Sequence, residues 1–555
     1  MHTGVTSTTE QYMVNHLSKS GVKMFDRTVL TLLSIYGGVA LITLAFVPFR
    51  FLPAEDAIIL FQYSRNLAEY GSITFLANGP HVEGATDFGW MLLVAAGIRL
   101  HIPPLWFSAG MNVLSLILLA VTLLKIAEVQ VSLLRLLAIV GSIALMPQIL
   151  AAASGFAVLP DAVLLSTFVL FVMRGQLERA SLTAFVFCLF RPDAVVFTIP
   201  LLAYLIVRGP LRWKNAATIG ALFAAPGIIY FSWRWIYFGE LFPLPFLVKA
   251  DTHRVLGLFV PHSLHQSLIY LLFAIVMLAP IILRAEARHL WLIVPLVAVP
   301  TFFYWAMRLD QNVAARFFFY LPLATAIIIA ANWAALGEHK VLVFRVGCLA
   351  WSVLLMLPLS REVRTFRDEQ FGEVKSIAEE LSHATRHGTI LTSEAGFIPY
   401  FSSWTTYDAW GLNTPEFAHR PLQSSDVGRI RPDLVVFHPD RPESCLVLPS
   451  WSPNYAERSW PHLTRNLTIG AHANHYELWL TSYGSEFYRQ RKHWHYGEGD
   501  RECWLVRKDS PLYPEITQAL RDHHGVTSDK AVGLEEEHGR LTPEARPAGY
   551  RAISR

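Results

Sequence analysis

The feature that most constrains this chain is a succession of apolar runs, most of them about 20 residues long and so able to cross a hydrocarbon layer of roughly 30 Å. The runs are Thr28 to Pro48, Leu105 to Ile126, Leu133 to Ala152, Phe156 to Met173, Ser181 to Phe190, Ala194 to Val207, Ala216 to Tyr237, Gln266 to Leu283, His289 to Met307, Phe317 to Leu336 and Val341 to Leu357. The pattern predicts an α-helical polytopic membrane protein of about eleven transmembrane helices. The short pair flanking Arg191 and Pro192 reads alternatively as a re-entrant hairpin. With 53% hydrophobic and 16% charged residues, the chain is too apolar for a string of soluble domains.

Lys and Arg cluster in the short loops at Lys23 and Arg27, Lys125 and Arg135, Arg174 and Arg179, Arg208 to Lys214, Arg284 and Arg288, and Lys340 and Arg345. Assigned to one side, they put the N-terminus in the cytoplasm of a bacterial inner membrane. The expected organisation is a cytoplasmic N-terminus at 1–27 and a transmembrane domain at 28–358 with a large first outer loop at 50–104. A soluble extracytoplasmic α/β domain follows at 359–522, then a polar tail at 523–555. In the soluble domain, Glu373 to Thr385 reads as an amphipathic helix, and Thr389 to Ser393, Leu434 to Phe437 and Trp504 to Arg507 read as strands. A net charge of +3 with scattered basic residues gives no footprint for nucleic acid. Of the four cysteines, Cys188 and Cys348 fall in apolar runs, which leaves Cys445 and Cys503 as the candidates for a bridge in an oxidising compartment.

Chemistry gathers in the first outer loop. Pro53 to Gly71 reads as an interfacial helix with Ile58, Ile59, Phe61, Tyr63, Leu67 and Ala68 toward lipid and Arg65, Asn66 and Glu69 toward water. Glu55 and Asp56 open that helix, where carboxylates complement the dipole. They also form an acidic pair at a membrane surface, suited to acid–base work or to a divalent cation. Glu83 and Asp87 lie on the Gly-punctuated stretch Gly79 to Trp90, so four carboxylates share one short segment. Inside the apolar sequence, Arg191 and Asp193 are expected to neutralise each other, and Asp161 is a further intramembrane carboxylate. His472, His475, His493 and His495 lack partners at metal spacing, and no metal site is assigned. Neither a phosphate-cradling Gly loop nor a nucleophile elbow is found.

The acidic pair Glu55-Asp56, Tyr63 with Arg65 to Ala68, and Val82 to Gly84 with Thr86 resemble the first extracytoplasmic loop of GT-C-fold glycosyltransferases. The order is most similar to bacterial terminal arabinofuranosyltransferases. Arg191 to Asp193, Tyr237 to Glu240 running on to Lys249, Glu394 to Ser402, Asp408 and Gly411 to Asn413 extend the likeness along most of the chain. It departs from the family pattern at Gln62 and Asp87 and after Ser154 and Gly155. The resemblance implies transfer of a sugar, arabinofuranose by this likeness, from a polyprenyl-phosphate donor to a periplasmic or cell-wall glycan or protein acceptor. It implies Asp56, with Glu55 second, as the catalytic carboxylate.

A lipid phosphate needs cations, and Arg65, Arg234, Lys249 and Arg316 are the candidates, each also readable as a snorkelling interfacial residue. Glu83, Asp87, Asp408 and Asn413 are the candidates for holding sugar or acceptor. Trp404, Tyr407, Trp410, Trp451 and Trp460 read either as glycan-stacking rings or as core. Two rival classes remain: a transporter of lipid-linked sugar or polysaccharide, for which the two halves show no matching interrupted helices, and a membrane-anchored glycan-binding assembly protein.

Overall fold

A computed structural model describes residues 27–49, 52–208, 212–249, 261–283, 287–307, 313–337, 372–438, 458–482, 501–523 and 525–527. The chain divides into two compact units. One comprises 1–50, 105–229 and 254–363, and the other 51–104, 230–253 and 364–555.

The expectation of about eleven transmembrane helices is corrected by the structure. Among the described residues, four helices are long and apolar enough to cross a membrane: Arg27–Ala45, Pro104–Ile126, Arg212–Phe238 and Val313–Ala331. The other apolar runs form shorter helices, because run length in sequence overstates helix length wherever the backbone breaks. The run from Leu133 ends as a helix at Ala144, three residues before Pro147, and Leu133–Ala144 has 12 residues. Val158–Met173 has 16 residues, and Leu177–Phe190 and Val195–Arg208 have 14 each. At 1.5 Å per residue such helices reach only about 18–24 Å, short of a hydrocarbon core of roughly 30 Å. The run at Val341 to Leu357 lies outside the described residues.

Within the first unit, Arg27–Ala45 crosses Leu133–Ala144 at close range. A Cβ at Gly37 would overlap the Leu137 carbonyl oxygen, and one at Gly141 the Leu33 carbonyl oxygen. Ser34 Oγ donates to the Leu134 carbonyl at 2.7 Å. Small residues that let two backbones touch are the usual basis of helix association where lipid removes the hydrophobic drive. The charged turn at Arg191 closes on itself. Arg191 donates to both oxygens of Asp193 at 2.9 and 2.7 Å and lies 3.7 Å from Asp161. The Tyr304 hydroxyl also donates to Asp193.

The second unit is built on a sheet of six strands among the described residues, β1 (Thr389–Thr392), β2 (Thr405–Asp408), β3 (Leu434–Phe437), β4 (Tyr476–Ser482), β5 (Arg501–Arg507) and β6 (Val526–Thr527), in the order β2-β1-β3-β5-β4-β6. The β2-β1-β3 half is parallel and the remainder antiparallel. β3 is buried along its whole length, as its unbroken Leu-Val-Val-Phe requires. Leu391, Val435, Phe437 and Leu505 join Leu463, Leu467 and Ala471 of the Trp460–Ala473 helix in one core. The mixed α/β region expected at the C-terminus is present. Register puts the carboxyl ends of β1, β2 and β3 and the start of β5 at one edge of this sheet, the edge at which parallel α/β sheets commonly present functional groups.

Candidate functional site

The helix Glu55–Tyr70 belongs to the second unit together with the sheet. Ala54, in an extended conformation, precedes it without a side-chain cap, so the first-turn carboxylates are what complements its amino end. Glu55 Oε1 accepts the Gly396 N–H at 2.5 Å and both its oxygens lie 3.2–3.3 Å from the Phe397 nitrogen. Those amides open the helix Phe397–Ser402, so Glu55 serves donors that would otherwise lack a partner. Asp56 follows in the same turn and is half-buried. The helix is enclosed by protein more fully than an interfacial helix would be. Ile58, Ile59, Phe61, Tyr63 and Ala68 are buried, and so is Asn66, whose amide donates to the carbonyls of Thr74 and Phe75 at 2.8 and 3.1 Å. Asn66 was expected in water, and its two backbone partners are what make its burial tolerable.

A chain of hydrogen bonds ties the same helix to the end of β2. The Tyr63 hydroxyl donates to Asn413 Oδ1 at 3.0 Å and accepts the Gly84 N–H at 3.0 Å. Asn413 Nδ2 and N donate to Asp408 Oδ2 at 2.9 and 2.8 Å, and the N–H groups of Trp410 and Gly411 reach Asp408 Oδ1. A Cβ on residue 84 would overlap both Asn413 Oδ1 and the Tyr63 hydroxyl, so only glycine fits there. Burial pushes the Asp408 carboxyl up to about 6 against these four N–H donors. The Tyr63 hydroxyl is likewise pushed well up by burial.

Next to this chain, Glu83 and Arg234 form a buried ion pair, with Arg234 Nε and Nη2 each 2.6 Å from Glu83 Oε2. Arg234 also donates to the carbonyls of Leu241 and Glu240. Burial raises the Glu83 carboxyl and Arg234 draws it back down. Arg65 donates to the Tyr400 carbonyl at 2.8 Å and to Gln62 Oε1 at 2.6 Å, with its guanidinium 4.4 Å from the Tyr400 ring centre. Asp87 sits at the start of the helix Phe88–Arg99 and accepts from Thr86 Oγ1 at 3.3 Å.

Of the candidate residues, Glu55, Asp56, Arg65, Glu83, Asp87, Arg234, Asp408 and Asn413 thus all belong to the second unit. Lys249 ends the helix Leu244–Lys249 of the same unit, and its side chain lies outside the described residues. Arg316 belongs to the first unit, buried, with its guanidinium 4.1 Å from the Phe156 ring centre and 4.8 Å from that of Phe317. Two residues before it, Ala314 and Ala315 have φ of 49° and 53°, a left-handed pair that breaks the helix there.

Trp404 is core, 1% exposed, with its indole N–H donating to the Leu381 carbonyl. Trp410, Trp460 and Tyr407 pack against the same domain core, while Trp451, His493 and His495 lie outside the described residues. His472 is lowered by burial. Among the described residues no group of three or more His, Cys, Asp or Glu side chains is disposed to hold a metal ion. Cys503 is disulfide-bonded and Cys188 is a free thiol; Cys445, the partner expected for Cys503, lies outside the described residues.

Sequence reading missed His438 and Glu502 and gave Glu394 no role of its own. Glu394 opens a motif that was noticed, Glu394 to Ser402. His438 and Glu502 flank strands that were expected, but nothing local marks them.

The class of protein comes from comparison with solved structures and is defined at the level of fold alone. The fold is similar to that of ArnT from Cupriavidus metallidurans, in a crystal structure bound to undecaprenyl phosphate. The TM-score is 0.50 at 13% identity, covering 86% of this chain and 98% of that one. Residues 361–502 match a family described as a domain of unknown function, DUF8728. No curated protein matches the sequence.

Proposed function

We propose that this chain is a GT-C-type membrane glycosyltransferase that moves a sugar, arabinofuranose by the sequence resemblance, from a polyprenyl-phosphate donor to an acceptor hydroxyl on an extracytoplasmic glycan or protein. The observation that carries the reading is the likeness of fold over most of both chains to a protein crystallised with undecaprenyl phosphate. The acidic first turn of Glu55–Tyr70 supplies the chemistry. Glu55 is held by the amides of Gly396 and Phe397, and Asp56, next to it in the same first turn, is the carboxylate we assign to catalysis on the sequence resemblance.

In the reaction, the bond from the anomeric carbon to the phosphate oxygen breaks, and polyprenyl phosphate leaves with the electron pair. The acceptor oxygen forms the new bond to that carbon, and its proton passes to Asp56. Arg65 and Arg234 are engaged by Tyr400, Gln62 and Glu83, so their contribution to the donor phosphate is proposed through the geometry they hold. Lys249 and Arg316 are each proposed as direct phosphate partners on their chemistry. Asp408, Asn413 and Glu83 are proposed to shape the surface that meets sugar or acceptor.

The test is to present purified full-length protein in detergent with a panel of polyprenyl-phosphate sugars and follow the lipid product. Consumption of one donor, the arabinofuranosyl lipid first, supports the reading, and inertness toward every donor with a cell-envelope acceptor present contradicts it. Lys249→Ala should raise the donor concentration needed for half-maximal rate more than it lowers the maximal rate.

A further inference from the structure

At the edge of the sheet that faces Glu55, a second acid is buried. Glu502, on β5, has 0% accessible surface, and neither of its carboxylate oxygens has a hydrogen-bond partner among the described residues. Phe437 of β3 lies opposite Cys503 of the antiparallel β5, so the next pair in register is His438 with Glu502. His438 Nδ1 meets Glu394 Oε1 at 2.5 Å, and Ser393 Oγ donates to the same oxygen at 2.9 Å. Glu394 is itself buried, two residues before the Gly396 amide that holds Glu55. Glu394 and Glu502 are thus both buried at this edge, with Glu55 half-buried at the Gly396 amide and His438 on Glu394. A buried charge without a partner is relieved by taking up a proton.

We infer that Glu502 is a proton-binding site, held as the neutral acid through the neutral pH range beside the Glu394–His438 pair. Its proton is what allows Glu55 to dock the Glu55–Tyr70 helix on the sheet edge.

The groups that face this acid are Glu394 from the end of β1, His438 from the end of β3 and Glu55 from the helix, with Asp56 next to Glu55. Thr481 is opposite it on β4. The charges sort accordingly. Burial pushes Glu502 well up, and the negative neighbours Glu394 and Glu55 add to it. Burial, then Glu394, push Glu55 up against the amides of Gly396 and Phe397. Burial alone would raise Glu394 too, but His438 holds it below the usual carboxylate range. Among these three acids the negative charge thus resides on Glu394, which His438 and Ser393 hold. A proton suits the site better than a metal ion, since no three ligands among the described residues are disposed to hold one.

The test uses full-length protein in detergent and needs no sugar donor, so its outcome is independent of the transfer reaction. Infrared spectroscopy at about pH 7, well above the ~4.3 of an ordinary glutamate, should show protonated carboxyl C=O absorption, and the wild-type minus Glu502→Gln difference spectrum should contain a carboxyl C=O component. The stability that Glu502 contributes is fully present below its unfolded value and is lost as pH rises toward its folded value. Within that window the wild-type folding equilibrium should fall up to tenfold per pH unit, and this slope should vanish in Glu502→Gln. Should that variant not fold, Glu502→Met tests the same point, because an apolar side chain must be accepted where a neutral, unpartnered acid was. Absence of carboxyl absorption from wild-type protein, or a difference spectrum without a carboxyl component in both variants, overturns the inference. So does a melting midpoint that calcium or magnesium raises in wild type and not in Glu502→Gln, which would make this a metal site.

Discussion

The two units each bury charge but balance it in opposite ways. In the first, Arg191 is enclosed by Asp193, Asp161 and the Tyr304 hydroxyl, so the cation and its acids sit within one local cluster. In the second, Glu83 is matched by Arg234, but His438 meets Glu394 while Glu502 has no hydrogen-bond partner among the described residues, and Asp408 is held by N–H donors. The Arg191 cluster fixes a turn inside apolar sequence, where a charge is costly unless partnered. An acid-rich edge keeps protons and carboxylates in reserve, which is what proton-transfer chemistry uses.

The largest effects should come from opening the closed pairs. Arg191→Met strands Asp193 and Asp161, and Arg234→Met strands Glu83. Each should destabilise its unit by about 3–5 kcal/mol, read as a lower melting midpoint in detergent. If Arg234→Met melts as wild type does, Glu83 is not the buried charge described here.

A smaller effect separates the acid-rich edge from the closed clusters. The Asp408 carboxyl is raised to about 6, so the stability it contributes is full below the unfolded value near 3.9 and falls as pH rises toward 6. The total from this group is up to about 3 kcal/mol, and above 6 Asp408 adds no further slope. Asp408→Asn should remove this share of the slope. Gly84→Ala, which drives a methyl into Asn413 and Tyr63, should cost about 1–3 kcal/mol. At the lower end, Asp509→Asn breaks an exposed pair with Arg431, whose side chains are 60% and 62% accessible, and should change stability by less than about 1 kcal/mol.

The same contrast marks what the sequence could reveal. Local periodicity was enough for β3, expected at Leu434 to Phe437 and found there, and for β1, β5 and the Gly372–Leu381 helix to within a few residues. The Arg191–Asp193 pair was legible because two residues suffice to make it. The number of membrane-length helices was not legible. The bend before Pro147 interrupts the run Leu133 to Ala152, which remains continuous in hydropathy, and other runs fold as helices of 14 to 16 residues. The acid-rich edge was legible only in part. Glu55 and Asp408 stood out by their motifs, whereas Glu394, His438 and Glu502 meet only because β5 inserts between β3 and β4. Strand order of that kind depends on packing between distant segments and leaves no local trace.

The central claim is that one carboxylate of the first-turn pair reacts while the other anchors, and the turnover of Asp56→Asn tests it most directly. Asn preserves size and suits a helix amino end as well as Asp does, so a merely structural Asp56 would lose about 1 kcal/mol or less. A carboxylate that takes the acceptor proton should lose at least about 100-fold in transfer rate, on the order of 3 kcal/mol in barrier, with folding and donor binding kept. Near wild-type turnover in Asp56→Asn, measured on the donor that the native protein consumes, would contradict the account.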